Sequence, residues 1–196
     1  MLDTKNIQII KLSDPEQIQE IFYLRKEVFQ KENKYSSTEL YIPEDNLATH
    51  FLLQVNDQPA GCVSIFIDYG RESLPMEKHL SLKKYKHLKN AEVYKLALLT
   101  EYRNRGLWLY LAGNTYSYLK SQKVNNVFIT VSTAQKDLFT FYSSLGFKKI
   151  ANYKNPLKGQ SSLMLADLSS KSIKIITKKY EKRLKNNFVI IRKQTG

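Results

Sequence analysis

Residues 91–107, AEVYKLALLTEYRNRGL, decide the fold. AEVYKLALL (91–99) is an apolar run of the length and composition of a buried central strand. TEYRNRGL follows as a turn containing one glycine, and an apolar-periodic helix is predicted over roughly 107–122. A strand that feeds a glycine turn and a helix N-terminus gathers several free backbone N–H groups at one point, and the helix dipole adds to them. Arg103 and Arg105 supply two cationic forks suited to phosphate. The segment therefore reads as an anion site, with an ordinary strand–turn–helix link and solvated arginines as the alternative.

The flanking sequence alternates strand and helix patterns. IQIIKL (7–12) reads as the first strand, and Asp14-Pro15 opens a helix through roughly Lys31, with Asp14 as N-cap and Pro15 in the first turn. Its apolar residues Ile18, Ile21, Phe22, Leu24, Val28 and Phe29 recur at helical spacing. A polar stretch, KENKYSSTELYIPEDN, reads as a loop or irregular helix. ATHFLLQV and AGCVSIFI, joined by Asn56-Asp57-Gln58-Pro59, form a hairpin pattern. Residues 69–90 are a charged excursion with one short helix. VFITVS (127–132) is a strand, AQKDLFTFYSSLGF holds a helix ended by Gly146, and Phe147–Tyr153 with SSLMLADL (161–168) make a closing pair of strands. The order β-α-β-β-β-α-β-α-β-β predicts an α/β fold, a mixed sheet of about six or seven strands flanked by helices.

Composition excludes several classes. The chain has 196 residues and one cysteine, Cys62, so it carries neither a disulfide framework nor a cysteine-rich zinc module. Three histidines without ligand-like spacing leave little room for a structural metal. No apolar run approaches the ~18 residues of a membrane span. The N-terminus turns acidic before a signal-peptide core can form, which predicts a cytoplasmic protein. The net charge of +13 is unevenly placed: residues 171–196 hold nine Lys/Arg and one Glu, so +8 of it lies there. The expected organisation is a domain over 1–170 and a basic appendage over 171–196, in which Ile173, Ile176, Tyr180 and Leu184 recur at helical spacing. That appendage reads as a docking element for an acidic protein or an anionic membrane surface, or as a helix packed on the domain with its lysines in water. Phe188–Ile191 reads as a short edge strand or a dimer contact. Monomer and homodimer both fit.

Three segments carry a family resemblance. Leu96-Ala-Leu-Leu-Thr-Glu-Tyr-Arg-Asn-Arg-Gly106 resembles motif A of the GCN5-related N-acetyltransferase superfamily, Phe141-Tyr142-Ser-Ser-Leu-Gly-Phe147 resembles its motif B, and Leu24-Arg25-Lys-Glu-Val-Phe29 resembles the first helix of several member families. The matches stand in the right order and cover about residues 7–168. Ser73-Leu74-Pro75-x-Glu77 and Ala91-Glu92-Val93-Tyr94-Lys95-Leu96-Ala97 are similar to the N-acyl amino acid and acyl-homoserine-lactone synthases. Those families take acyl chains from acyl carrier protein. Lys95 stands where they usually show Arg, and Trp108 where motif A expects Gly or Ala.

The resemblance implies an N-acyltransferase with a pantetheine thioester donor, acyl-coenzyme A or acyl carrier protein, and an amine acceptor such as an amino acid. An acetyl-coenzyme A-dependent N-acetyltransferase of a protein or small amine is the alternative. It implies that the thioester lies along the opened edge of the fourth strand, polarised by backbone N–H groups near Leu98 and Leu99. Arg103, Asn104, Arg105, Gly106, Leu107 and Trp108 then hold the donor. An amine nucleophile must lose a proton, and Glu92 is the first candidate base, with a solvent-facing glutamate as the alternative. Tyr142 resembles the superfamily tyrosine that protonates the departing thiolate; simple packing is its alternative. Arg25 and Phe29 are expected to line the acyl or acceptor pocket, with helix surface and core as the alternative. His50 reads as a structural histidine at a strand start, His79 and His87 as solvated surface, and Cys62 as a core residue. No stable nucleic-acid partner is expected, since the basic tail offers only Tyr180 and Phe188 for stacking. A non-catalytic protein with a degenerate donor site remains the remote alternative.

Overall fold

The computed structural model describes residues 6–12, 18–37, 40–70, 73–155, 159–171, 173 and 178. β1 (Ile7–Leu12), β2 (Thr49–Val55), β3 (Gln58–Ile67), β4 (Asn90–Leu98), β5 (Asn126–Ser132), β6 (Lys148–Asn155) and β7 (Gly159–Asp167) join in one sheet, ordered β1-β2-β3-β4-β5-β7-β6. β1, β2 and β3 pair antiparallel, β4 and β5 parallel, and β7 runs antiparallel between β5 and β6. This is the mixed sheet that the element order predicts. Contacts among the residues divide them into two compact units, one drawn from Met1–Ile65 and Lys95–Ser117, the other from Phe66–Tyr94 and Tyr118–Lys179.

In the first unit, α1 (Ile18–Arg25) continues as a π-helical segment, Lys26–Glu32. Ile21, Leu24, Arg25 and Val28 are its buried residues, the spacing of one helix face. A guanidinium thus sits on a stripe otherwise made of aliphatic side chains. Asp14 and Pro15 lie outside the described residues. The polar stretch after the helix closes with a 3₁₀ turn, Pro43–Asn46, in which the Asp45 carboxylate accepts the Ile42 N–H at 2.9 Å. α2 (Trp108–Ser121) follows the turn after β4, one residue later than its pattern predicts.

In the second unit, the charged excursion forms two 3₁₀ turns, Pro75–Lys78 and Lys83–Tyr85, rather than one helix. Pro75 starts the first turn, and the Glu77 carboxylate accepts the Leu74 N–H at 2.9 Å. Leu74, Met76 and Leu82 anchor the excursion in a cluster with Phe66, Phe128 and Leu163. α3 (Lys136–Ser144) supplies Leu138, Phe139 and Tyr142 to a separate cluster with Val93, Ile129, Val131, Met164 and Phe147. Gly146, at φ 90°, ends α3 as the sequence predicts, and the Phe147 N–H reaches back to the Tyr142 carbonyl at 3.1 Å. Of the basic appendage, Ile173 is buried; Ile176, Tyr180, Leu184 and Phe188 lie outside the described residues. No helix among the described residues is long and apolar enough to cross a membrane.

Gly61 sets how closely β3 and β4 approach. A Cβ there would stand 2.7 Å from the Ala97 carbonyl oxygen and 2.9 Å from Leu98 Cδ1, and a backbone oxygen cannot swing aside as a side chain can. We expect Gly61→Ala to destabilise the protein by about 1–3 kcal/mol through overpacking, measured by urea unfolding. Unchanged stability would mean that β4 shifts freely.

Candidate active site

β4 is the fourth of seven strands, a position that favours burial on both faces. Asn90, Ala91 and Glu92 are buried accordingly, yet Val93, Tyr94, Lys95, Leu96 and Leu98 are only half-buried. The parallel ladder to β5 registers Asn90 with Asn126, Ala91 with Val127 and Glu92 with Phe128. Further along, Lys95 takes φ 52°, a left-handed conformation inside a strand. For an L-residue with a side chain that costs about 1–2 kcal/mol. Such kinks re-aim the groups that follow them.

The turn after β4 is tied down from several sides. The Leu99 N–H donates to the Ala60 carbonyl at 3.0 Å, so it is spent on β3 and does not polarise a thioester. Successive N–H groups along an extended chain point in opposite directions, which turns the Leu98 N–H away from β3. The expectation for this pair therefore narrows to Leu98. Arg103 donates through Nε to the Leu98 carbonyl at 2.9 Å and through Nη2 to Glu32 at 2.6 Å, while Thr100 Oγ1 donates to the other Glu32 oxygen at 2.9 Å. Glu32 thus answers the Arg103 charge. Arg105 is exposed. Asn104 and Gly106 have φ 58° and 73°, and a Cβ on Gly106 would meet nothing nearer than Leu109 Cδ1 at 3.8 Å. Glycine serves conformation there, not space. Leu107 is buried, and Trp108, half-buried, is the first residue of α2.

Glu92 and Tyr142 sit in the second unit on opposite faces of the sheet. Glu92 is cross-strand from Phe128, which belongs to the cluster under the excursion. Its carboxylate is buried and accepts the Met76 N–H at 2.8 Å. It is neither an edge nor a solvent-facing glutamate. The next residue, Val93, faces the other way, into the cluster that holds Tyr142. Tyr142 is half-buried between Phe141 and Phe147, with ring centroids at 5.2 and 5.7 Å, and burial pushes its phenol up to about 12. Its hydroxyl makes no hydrogen bond to a described residue.

In the first unit a buried polar network underlies β4. Arg25 donates to both Asp45 oxygens at 2.8 and 2.9 Å, to the Leu40 carbonyl at 2.8 Å and to Ser64 Oγ at 2.6 Å. This corrects the expectation that Arg25 lines a pocket: at 1% exposure its guanidinium is committed to the interior. Phe29 stacks on Tyr35 at 5.6 Å. Lys95 Nζ reaches Leu40 O at 3.0 Å and Asp45 Oδ2 at 3.3 Å. His50 bridges Ser64 Oγ and the Asp45 carbonyl at 2.8 and 2.9 Å, the structural role its position suggests. Burial alone would push the Asp45 carboxyl up, but the hydrogen bonds and charge of Arg25, with Lys95 and the Ile42 N–H, hold it down at about 2. Burial also lowers His50, keeping it neutral, and lifts the Cys62 thiol to about 11, as for an inert core residue. Asp45 escapes sequence reasoning because it stands in a stretch that reads as loop; Arg25 at the spacing of the buried stripe was the available signal for a buried anion.

The sequence model of the family described as N-acyl amino acid synthase FeeM matches residues 20–167. Among solved structures the chain is similar to FeeM, an N-acyl amino acid synthase from uncultured soil microbes, at 20% identity and TM-score 0.67, over 83% of this chain and 91% of that one. It is similar to the ribosomal-protein-S18-alanine N-acetyltransferase of Escherichia coli at 14% identity and TM-score 0.62, over 84% and 95% of the two chains. Arabidopsis thaliana NAA60, solved with acetyl-CoA, is similar at 15% identity and TM-score 0.62, over 84% and 100%. No curated protein matches the chain. At these identities the structural likeness is one of fold.

The network predicts a pH profile of stability. Asp45, depressed in the folded chain to about 2, contributes stability that is complete above its ordinary value of ~3.9 and is lost as pH falls through about 2, some 2–3 kcal/mol in all. His50, also depressed, begins to oppose folding once pH falls below its ordinary ~6.5. Asp45→Asn should cost about 3–5 kcal/mol at neutral pH, because Arg25 stays buried without a carboxylate. It should then lose little more between pH 4 and 2, where the wild type declines, as followed by urea unfolding at each pH.

Proposed function

We propose that this chain, which belongs to the N-acyl amino acid synthase FeeM family, moves an acyl group from a pantetheine thioester to the amine of an amino acid, using Glu92 and Tyr142. As a member of that family it is an acyltransferase. The observation that carries the residue roles is the placement of Glu92 and Tyr142 on opposite faces of one strand pair. When an amine adds to a thioester carbonyl, nitrogen and sulfur leave the tetrahedral carbon in different directions. A base for one and an acid for the other must therefore approach from different sides.

The amine lone pair forms the C–N bond, and the carbonyl π pair moves onto oxygen, where the Leu98 N–H is the candidate donor. Glu92 takes the amine proton directly or through one water, its carboxylate oriented by the Met76 N–H. The C–S bond then breaks as the carbonyl re-forms, and Tyr142 gives its proton to the departing thiolate. A phenol held near 12 stays protonated at neutral pH, as an acid in this role must. The products are an amide and a free thiol. Proton return from Glu92 to Tyr142 through solvent resets the site.

Arg105 and the first N–H groups of α2 suit the donor's phosphate. Trp108, where a small residue would admit a pyrophosphate closely, favours the single phosphodiester of acyl carrier protein over coenzyme A. The +8 charge of residues 171–196 suits the same acidic donor. A full-length preparation given octanoyl-coenzyme A or octanoyl carrier protein, with the twenty common amino acids, should yield an N-octanoyl amino acid by mass spectrometry. If neither donor yields one, the reading fails.

Tyr142→Phe should lower kcat about 10–100-fold with donor affinity unchanged, since an acid for the leaving group acts in the transition state. Glu92→Gln should lower kcat/KM comparably and flatten its acid limb. Calorimetry with coenzyme A separates the two arginines. Arg105→Ala should weaken binding several-fold at low salt and less at high salt, as a screened charge does. Arg103→Ala should weaken it equally at both, because Arg103 acts by holding the turn.

A further inference from the structure

We propose that Lys95 is a positioning residue, whose ammonium pins the left-handed kink of β4 to the buried Arg25–Asp45 pair and so directs the Leu98 N–H. This rests on the reading that the Leu98 N–H serves the thioester oxygen. The kink alone does not call for lysine. Glycine takes a positive φ without steric cost, and asparagine tolerates it better than a long side chain. A lysine in that conformation is held there by something, and its contacts say by what.

Lys95 Nζ donates to the Leu40 carbonyl at 3.0 Å and pairs with Asp45 Oδ2 at 3.3 Å, with its side chain only 13% exposed. Both acceptors are fixed points. Asp45 is 1% exposed and is gripped through both oxygens by Arg25 and through Oδ2 by the Ile42 N–H. The Leu40 carbonyl also accepts from Arg25. The two anchors of Lys95 are thus shared with one immobile guanidinium, and charge-assisted bonds of this kind are the strong ones in a dry interior. Because Arg25 already spans both Asp45 oxygens, a compact ammonium fits the remaining approach better than a second planar fork.

Downstream, the Leu99 N–H is bound to the Ala60 carbonyl at 3.0 Å. The strand is therefore held at Lys95 by the pin and at Leu99 by β3, with Leu98 between the two. Removing the pin frees one end of that span. Ala97 in that span is buried and packs closely on Gly61, while Leu96 and Leu98 on either side of it are only half-buried.

The test compares Lys95→Met, Lys95→Gly and Lys95→Arg in the full-length chain. Amide exchange by NMR should be at least 10-fold faster at Leu99 in Lys95→Met and Lys95→Gly, and unchanged at Leu53 in β2. With octanoyl-coenzyme A and mixed amino acids, kcat should fall 10–100-fold in both, with KM for the thioester within 3-fold of wild type. Lys95→Arg should recover part of both losses. Lys95→Gly removes the strain and the pin together, so wild-type exchange and turnover in that variant would overturn the proposal. Faster exchange with unchanged turnover would overturn it too, since the pin would then position nothing. If Lys95→Met does not fold, Lys95→Gly and Lys95→Arg decide the matter. If the wild type forms no acyl amide, the acyltransfer reading fails separately, and unchanged exchange would still overturn the pin.

Discussion

A single buried carboxylate, Asp45, organises the first unit. Around it converge the guanidinium of Arg25 from α1, the ammonium of Lys95 from β4 and the N–H of Ile42 from its own turn. An isolated carboxylate in that position would be driven toward its neutral form, and an isolated guanidinium would be costlier still. Together they are tolerated, and each fixes the other's backbone. The 40–46 segment, which has no extended regular structure, acquires a definite path because its carboxylate and the Leu40 carbonyl are both bound by Arg25. Such a pair adds less to net stability than an apolar pair of the same shape could. It specifies which segment meets which.

β4 joins anchored and opened parts in one strand. Its first three residues are buried and in register with β5, and Glu92 at the end of that run is oriented by the Met76 N–H. The excursion that carries Met76 therefore has a purpose beyond covering the sheet: its first 3₁₀ turn aims a backbone donor at a carboxylate. After Glu92 the strand is half-exposed and kinked at Lys95. The close approach at Gly61 lets β4 stay against β3 through the kink. Tyr142, on the opposite face from Glu92, is supported by Phe141 and Phe147 rather than by hydrogen bonds among the described residues. That apolar setting keeps the phenol protonated while raising its pKa, so its proton passes only to a thiolate whose charge has fully developed.

Much of the fold was legible because its signals are local. Alternating and continuous apolar runs marked six of the seven strands, β6 being legible only as the partner of β7, and Gly146 marked the end of α3 at the correct residue. The motif around Gly106 was legible for the same reason, a positive φ next to a helix start. What escaped depends on partners distant in sequence. Residues 69–90 read as an excursion with one short helix, whereas they form two 3₁₀ turns, Pro75–Lys78 and Lys83–Tyr85, anchored by the burial of Leu74, Met76 and Leu82. Arg103 reads as a phosphate ligand, and its pairing with Glu32, 71 residues earlier, is invisible in the local sequence. Leu99 read as an oxyanion donor, but strand pairing with Ala60 uses its N–H. Arg25 read as a pocket residue, since nothing in a polar loop announces that Asp45 will fold under it.

Acid and base on opposite faces of the sheet require the two substrates to approach from opposite sides, which a bound bisubstrate analogue makes visible. A crystal structure of the full-length protein with coenzyme A joined through an acyl thioether to an amino acid amide would locate both reacting atoms at once. The sulfur is expected on the Tyr142 side, within hydrogen-bond reach of its hydroxyl, and the acceptor nitrogen on the Glu92 side, at its carboxylate or one water away. An analogue whose sulfur and nitrogen both lie on one face, or whose nitrogen has no path to Glu92, would contradict that arrangement.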